Sequence, residues 1–204
     1  MPRAPARRTY HHGDLRRSLM EAALGLVAEK GVHALSIREA AQRAGVSSGA
    51  PYRHFPSKDA LLAALATDGY RDLGERLQRA RERGGDDFRR QVQAAAEAYL
   101  EVALAHPDRF RLMFGGFFPS HAEFPELFAA CAATEEILLD MLRDGQAAGA
   151  VKALPVALLA TATHAFIHGL ASLLIEGHLA LPPDESLAAW IAPLFDAFWR
   201  GLSA

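Results

Sequence analysis

The sequence is poor in the residues that mark secreted and membrane proteins. Its one cysteine, Cys131, cannot form an internal disulfide, and this usage is typical of a reducing compartment. We find no stretch of about 18 uncharged apolar residues with the character of a membrane span, and the basic residues Arg3, Arg7 and Arg8 are not followed by the apolar run of a signal peptide. We therefore expect a soluble, cytoplasmic protein with no membrane partner.

Positive charge is concentrated at one end of the chain. Residues 1–60 hold ten Lys and Arg against five Asp and Glu, whereas residues 61–204 hold 12 against 19. The net charge of −2 therefore hides a basic head and an acidic body. A basic head suits a polyanion such as DNA, because neutralising phosphates supplies most non-specific affinity. Charge alone leaves an ordinary solvated surface equally open.

Apolar residues recur with helical spacing between glycine and proline breaks, and no segment alternates apolar and polar residues between hairpin turns. We therefore predict an all-α fold of about nine helices, with a three-helix, homeodomain-like helix-turn-helix head and a larger C-terminal helical bundle. The predicted helices are residues 14–30, 37–44, 48–55, 58–81, 87–105, 107–115, 123–148, 154–177 and 184–201. The predicted divisions of the chain are a flexible basic arm at 1–11, the head at 12–57 and the body at 58–204.

Residues 36–55 have the layout of a helix-turn-helix that reads the major groove. Ser36 and Glu39 predict a capping box at the start of the second helix, and Gly45 stands where the turn needs an unusual backbone. Pro51 is tolerated in the first turn of the third helix. The residues that this segment would present to DNA are Ser47, Ser48, Gly49, Ala50, Tyr52, Arg53 and His54, followed by Lys58 at the start of the fourth helix. Arginine is the commonest bidentate reader of guanine, which favours base recognition here.

The segments LSIREAA at 35–41, AGVSSG at 44–49 and YRHFPSKDALL at 52–62 closely resemble the tetracycline-repressor (TetR) family of bacterial regulators. This resemblance covers residues 12–65 without gaps. It implies a C-terminal ligand-binding and dimerising domain and a palindromic operator in double-stranded DNA. It also implies base contact by Arg38 and the start of the third helix, and phosphate contact by Ser36, Tyr52, His54 and Lys58.

The body carries a weaker resemblance and two candidate surfaces. Residues 164–173 resemble the Trp-His-Gly subgroup of these regulators, with Phe166 or Ile167 near the tryptophan position. An aromatic and sulfur cluster with three further residues predicts a cavity for a small, mostly apolar effector, although ordinary core is an equal reading. Its residues are Tyr99, Met113, Phe114, Phe117, Phe118, Phe128, Cys131, Met141 and His164. Wide apolar faces on the last two helices predict a four-helix homodimer interface. Its residues are Ile167, Leu170, Ala171, Leu174, Ile175, Trp190, Leu194 and Phe198.

The family resemblance implies a transcriptional regulator, most commonly a repressor, that a small effector releases from its operator. Two other classes of function compete with this expectation. A metal-dependent enzyme is suggested by His164 and His168 at i, i+4 spacing, and by His11-His12 with Asp14, but no His-Glu-x-x-His motif or third ligand accompanies them. No glycine-rich phosphate loop is present either. We therefore expect no enzyme activity, no metal and no cofactor.

A helical interaction module with a vestigial head is the second alternative. The joint presence of Ser36, Arg38, Tyr52, His54 and Lys58 argues against it, because a head released from phosphate binding would not need them.

Overall fold

The computed structural model describes residues 12–118 and 121–203. The predicted basic arm at 1–11 lies outside the described residues. The described chain is all-α, as predicted, with eight α-helices and two short 3₁₀ turns, Val32–Ala34 and Pro51–Arg53. The helices are α1 (His12–Lys30), α2 (Ile37–Arg43), α3 (Lys58–Gly84), α4 (Phe88–Ala105), α5 (Pro107–Phe114), α6 (Pro125–Ala147), α7 (Val156–Ile175) and α8 (Leu187–Leu202).

The prediction of a third α-helix at residues 48–55 is wrong. Between Ser47 and Phe55 the backbone instead forms a succession of turns. Ala50 N–H bonds the Ser47 carbonyl at 3.0 Å, and His54 N–H bonds the Pro51 carbonyl at 2.8 Å, so these bonds span three residues rather than four. Pro51 has no N–H to donate to Ser47, and the segment therefore tightens into a 3₁₀ turn.

The chain divides into two compact units, residues 1–65 and 66–204, and the division falls inside α3. The head unit runs past the predicted end at residue 57 because the first turns of α3 carry apolar side chains that are buried. Leu61 is fully buried, and Leu62 and Leu65 are nearly so. Ser57 caps this helix by accepting a hydrogen bond from the Ala60 N–H at 3.1 Å.

Helices α1 and α2 pack together to form most of the head. Its interior contains apolar side chains from both helices and from the segments that follow them. These are Leu19, Ala23, Leu26, Val27, Ile37, Ala40, Ala41 and Phe55. Gly45 has a φ of 70°, as the predicted turn requires, and a side chain there would be strained.

The body is a bundle in which α4 packs against α5, α6, α7 and α8. Phe88 and Val92 of α4 contact buried residues of α6 and α8, among them Met141 and Phe195. Asp87 caps α4 by accepting from the Arg90 N–H at 3.1 Å. An isolated bridge between Val151 and Ser203 joins the segment before α7 to the end of α8.

Candidate nucleic-acid interface and ligand cavity

The start of α2 presents Ser36 and Arg38 to solvent. Ser36 is the N-cap residue, but its side chain makes no capping bond. The predicted capping box is therefore wrong, because Glu39 forms an ion pair with Lys30 of α1 instead. The Ser36 hydroxyl and the first N–H groups of α2 are left for an outside acceptor or phosphate.

The turn at 47–55 is anchored from behind and exposed in front. Pro51 and Phe55 are buried, and the Arg16 guanidinium lies 5.3 Å from the centre of the Phe55 ring. Tyr52 keeps 49% of its surface exposed, and Arg53 is exposed beside it. Pro51 and Phe55 thus fix the turn in place, and the phenol of Tyr52 and the guanidinium of Arg53 face solvent.

Lys58 makes a contact that the sequence did not predict. Its Nζ donates to the backbone carbonyl of His33 at 2.6 Å and so ties the first turn of α3 to the 3₁₀ turn after α1. An ammonium group has three N–H donors. Lys58 forms no other hydrogen bond or ion pair with the described residues, so two of these donors remain available there for the predicted phosphate contact.

The arginines of the head divide into paired and unpaired groups. Arg43 donates to both carboxylate oxygens of Glu29, at 2.6 and 2.7 Å, and so joins α2 to α1. Within the described residues, Arg38 and Arg53 have no acidic partner. Their positive charge is therefore not neutralised by any acidic side chain in the described part of the head.

The body contains a cavity of about 260 Å³ whose walls come from α3 through α8, and two of the lining residues, Glu135 and His164, are exposed to solvent. Of the nine predicted ligand-binding residues, five line it: Tyr99, Phe114, Cys131, Met141 and His164. The other four, Met113, Phe117, Phe118 and Phe128, are outside its lining.

Each of these four residues has other neighbours. Met113 is buried on the face of α5 that packs on α3, where Gly69 leaves room for its sulfur. Phe118 contacts Phe124, and Phe128 stacks on His121 at 3.6 Å between ring centres. Phe117 packs beside Gly115.

Several lining residues were missed by the sequence analysis. They are chiefly Tyr70, Thr134, Glu135, Thr163, Phe166 and Phe198. Each belongs to a helix whose apolar spacing is the same for a filled core and for a cavity wall, so periodicity could not identify them.

Hydroxyl groups in the lining are bonded to backbone carbonyls. The Tyr70 hydroxyl donates to Met113 at 2.9 Å, and the Thr163 hydroxyl donates to Leu159 at 2.8 Å. The Thr134 hydroxyl lies within hydrogen-bond distance of the Tyr70 and Ala130 carbonyls. Burial, reinforced by Cys131, raises the pKa of Tyr70 far above its ordinary value, so this phenol stays neutral.

Tyr99 and His164 of the cavity lining form a cluster with His168, which lies outside the lining. The Tyr99 hydroxyl lies 3.0 Å from His168 Nδ1 and 3.5 Å from His164 Nε2. Desolvation lowers the pKa of both imidazoles and raises that of Tyr99. Phe114 contacts all three rings. The neutral forms of this cluster are therefore favoured at pH 7.

The predicted interface residues divide between the interior and a half-buried surface. Ile167 and Ala171 are buried within the protomer, and Ile167 lines the cavity, so the prediction that they contact a second copy is wrong. Phe198 also lines the cavity and stacks on Phe166 at 4.3 Å between ring centres. The remaining five are half-buried: Leu170, Leu174, Ile175, Trp190 and Leu194.

Helix α7 contradicts the expectation that the chain has no uncharged apolar stretch long enough to span a membrane. Its 20 residues include no Asp, Glu, Lys or Arg, and by length and composition it could cross a membrane. Of the most apolar 18-residue stretch of this helix, only 28% is buried inside the protein. The helix therefore presents an uncharged, largely apolar surface.

The histidine pair was also a candidate metal site. The described residues contain no group of three or more His, Cys, Asp or Glu side chains placed to hold a metal ion. His168 Nδ1 instead lies beside the Tyr99 hydroxyl.

These features define a helical protein with a helix-turn-helix head and a helical body that contains a cavity. Residues 19–65 match the profile of bacterial regulatory proteins of the tetR family, and residues 92–194 match that of the tetracyclin repressor-like C-terminal domain. The chain belongs to the tetracycline-repressor family of bacterial regulatory proteins. The narrower Trp-His-Gly resemblance stays a prediction.

Individual relatives cover the chain to different extents. An HTH-type transcriptional regulator of Mycobacterium tuberculosis is 34% identical over 105 residues, which cover 51% of this chain and 45% of that protein. The chain thus spans about half the length of the curated relatives it matches. A solved protein of unknown function from Rhodococcus sp. RHA1 superposes with a TM-score of 0.84 at 35% identity, covering 97% of this chain and 100% of that one. The TetR family transcriptional regulator PfmR from Thermus thermophilus has a TM-score of 0.70 at 25% identity, covering 89% and 97%.

Proposed function

We propose that this protein is a ligand-responsive transcriptional repressor of the bacterial cytoplasm. A homodimer binds a palindromic operator, and a small, mostly apolar effector in the body cavity releases it. The partners are therefore double-stranded DNA, a second copy of the chain and the effector.

The observation that carries this proposal is the pair of unpaired arginines in the head. Arg38 and Arg53 are exposed, and within the described residues they have no acidic partner, whereas the neighbouring Arg43 is neutralised by Glu29. A guanidinium can bind a guanine edge bidentately. Ser36 and Lys58 nearby supply phosphate donors, which fix the register of a protein on the duplex.

Dimerisation is supported by the surface of α7. Leu158, Ala162, Ala165 and Leu173 are exposed at i, i+4, i+7 and i+15, and a side chain added at Gly169 would meet open space. These spacings place all five on one face of the helix. Small residues along that face allow a second helix to approach closely, so we assign the dimer contact to this face rather than to Ile167 and Ala171.

Thermodynamic linkage explains how an effector bound in the cavity would release the protein from DNA. A ligand shifts an equilibrium only by its different affinities for the two states. An effector that binds the operator-free conformation more tightly therefore weakens DNA binding by the same factor, about 5–150-fold for typical coupling energies.

The test uses duplexes selected from a random pool by the wild-type protein, with affinity followed by fluorescence anisotropy at several salt concentrations. Arg38→Ala should weaken binding to the selected duplex by about 5–150-fold, the cost of one lost bidentate base contact. Binding to random duplex should weaken much less. Lys58→Gln should weaken both duplexes alike and lower the salt slope by about one.

Arg143→Ala provides the matched control. It removes the same charge from an exposed arginine of α6 that is paired with Glu136 and Asp140. Its operator affinity should equal that of the wild type. Wild-type protein with no salt-dependent affinity for any duplex would contradict the proposal.

A further inference from the structure

We infer that the body cavity takes a small apolar molecule bearing an amine or another cationic nitrogen, with Glu135 as its counter-ion, and that it discriminates against carboxylic acids. The inference rests on the proposed function, because it names the chemical class of the effector for the same cavity.

The charge of the lining is the first argument. Among the described residues that line the cavity, Glu135 is the only one with a formally charged side chain, and no lysine or arginine joins it. Glu135 is exposed on α6, and its charge acts on His164, which places both groups near one another. An anionic ligand would lose its hydration in the cavity without gaining an opposite charge.

The hydroxyl groups give the same preference. Tyr70 and Thr163 donate their hydroxyl protons to backbone carbonyls, and Thr134 has two such carbonyls within reach. A hydroxyl has one proton and two lone pairs, so these residues keep lone pairs that can accept a hydrogen bond but have no proton left to donate. They complement the N–H groups of an amine and oppose the oxygens of a carboxylate.

His164 is the lining group that an acid would have to recruit. Desolvation lowers the pKa of this imidazole, although the charge of Glu135 partly opposes the effect. The imidazole is therefore mainly neutral at pH 7 and offers a carboxylate no positive charge until it takes up a proton. A neutral imidazole beside Tyr99 is compatible with a cation that stays near Glu135.

The walls and the volume define the rest of the molecule. Tyr99, Phe114 and Phe166 are among six phenylalanine and tyrosine rings in the lining, and the faces of such rings attract organic cations. The volume of about 260 Å³ lies below the roughly 300–1,000 Å³ of pockets for drug-sized ligands. The ligand is therefore a compact molecule with an aryl or short alkyl body.

Three probes of one shape test the assignment: phenylbutylamine, phenylbutanol and phenylbutyric acid. Isothermal titration calorimetry on the full chain should show the amine binding about three- to tenfold more tightly than the alcohol, through the added ion pair and cation–π contacts. The acid should bind most weakly. An acid that binds as tightly as the amine, or failure of all three to bind, would overturn the inference.

Glu135→Gln tests the counter-ion and keeps the size of the side chain. It should abolish the advantage of the amine over the alcohol while leaving the affinity for the alcohol within about twofold. Glu136→Gln is the control, because Glu136 is the next residue, is similarly exposed, pairs with Arg143 and does not line the cavity. An unchanged amine advantage in Glu135→Gln, or an equal loss in both variants, would overturn the assignment.

Operator release measured in parallel separates this inference from the proposed function. An acid that binds and releases the selected duplex would overturn the ligand class and support the regulator. An amine that binds with the expected preference but never releases the duplex would support the ligand class and contradict effector-controlled repression.

Discussion

The head and the body of this protein differ in how their functional residues are distributed along the chain. The head gathers its candidate DNA contacts between Ser36 and Lys58, in one short segment with a distinctive motif. The body builds its cavity from residues between Tyr70 and Phe198, which lie on six helices. A local segment can therefore be identified from sequence, whereas a cavity depends on which helical faces meet.

The two units also differ in how much apolar surface stabilises them. The head has few helices and only about 50 described residues. Because a small unit buries a smaller fraction of its surface on folding, the head should be less stable than the body. The body has the larger core and contains the cavity. Functions of the two units should thus be separable by substitution.

The largest effect is expected from Phe55→Ala in the head. Phe55 is 2% exposed, and truncating a buried phenylalanine costs about 3–5 kcal/mol. That is a large part of the stability of a unit this small, so the head should unfold locally and operator binding should be lost. Hydrogen exchange should show rapid exchange at residues 19–55, while binding of phenylbutylamine to the body is retained.

Phe128→Ala is the comparison for that experiment. This ring is half-buried in the body and does not line the cavity, so operator affinity should change little. Wild-type operator affinity with normal amide protection in Phe55→Ala would show that the two units are not separable in this way.

A somewhat smaller loss is expected from Ala165→Glu on the exposed face of α7. A buried, unpaired carboxylate at a helix–helix contact disfavours the dimer. A monomer has one head, and losing the second binding event lowers affinity by roughly 10²–10⁴-fold. Light scattering should report a monomer that still binds phenylbutylamine.

Ala132→Glu places the same charge on an exposed position of α6 and should leave the mass unchanged. A dimer that persists in Ala165→Glu would move the interface away from this face of α7.

Local rules predicted much of the head correctly. The turn at Gly45 follows from residues within three or four positions of each other, and it is present, with a φ of 70° at Gly45. The capping box failed because Lys30, nine residues before Glu39, competes for its carboxylate. The third helix failed because the missing N–H of Pro51 outweighed the helical pattern around it.

The body was harder to predict because its helices are apolar on more than one side. Helix α7 has no charged residue to mark its solvent face, so periodicity could not separate the buried Ile167 and Ala171 from the exposed Ala165. The same ambiguity mixed cavity residues such as Phe114 with core residues such as Met113. Which residues surround a void depends on contacts far apart in the sequence.

The smallest effect is expected from pH, and it should appear in the body. Desolvation lowers the folded-state pKa of His164 and His168, and, with Arg109 nearby, that of His106. The unfolded chain then binds more protons than the folded one as pH falls through about 6.5, so stability should fall between pH 7.5 and pH 5. For Asp72, burial alone would raise the pKa, but Arg76 and Arg109 outweigh it and lower the value. The stability that the Asp72 carboxylate contributes is therefore lost only at pH values below the usual range of carboxylate pKa values. That lies outside the interval from pH 7.5 to pH 5.

His168→Asn removes one of these groups and keeps an acceptor for the Tyr99 hydroxyl. In a chain of this size each kcal/mol moves the melting temperature by roughly 2–4 °C, so the fall in melting temperature between pH 7.5 and pH 5 should shrink by a few degrees. The exposed His178 provides the control, and His178→Asn should reproduce the wild-type slope. Equal slopes in His168→Asn and the wild type would mean that this imidazole is not desolvated in solution.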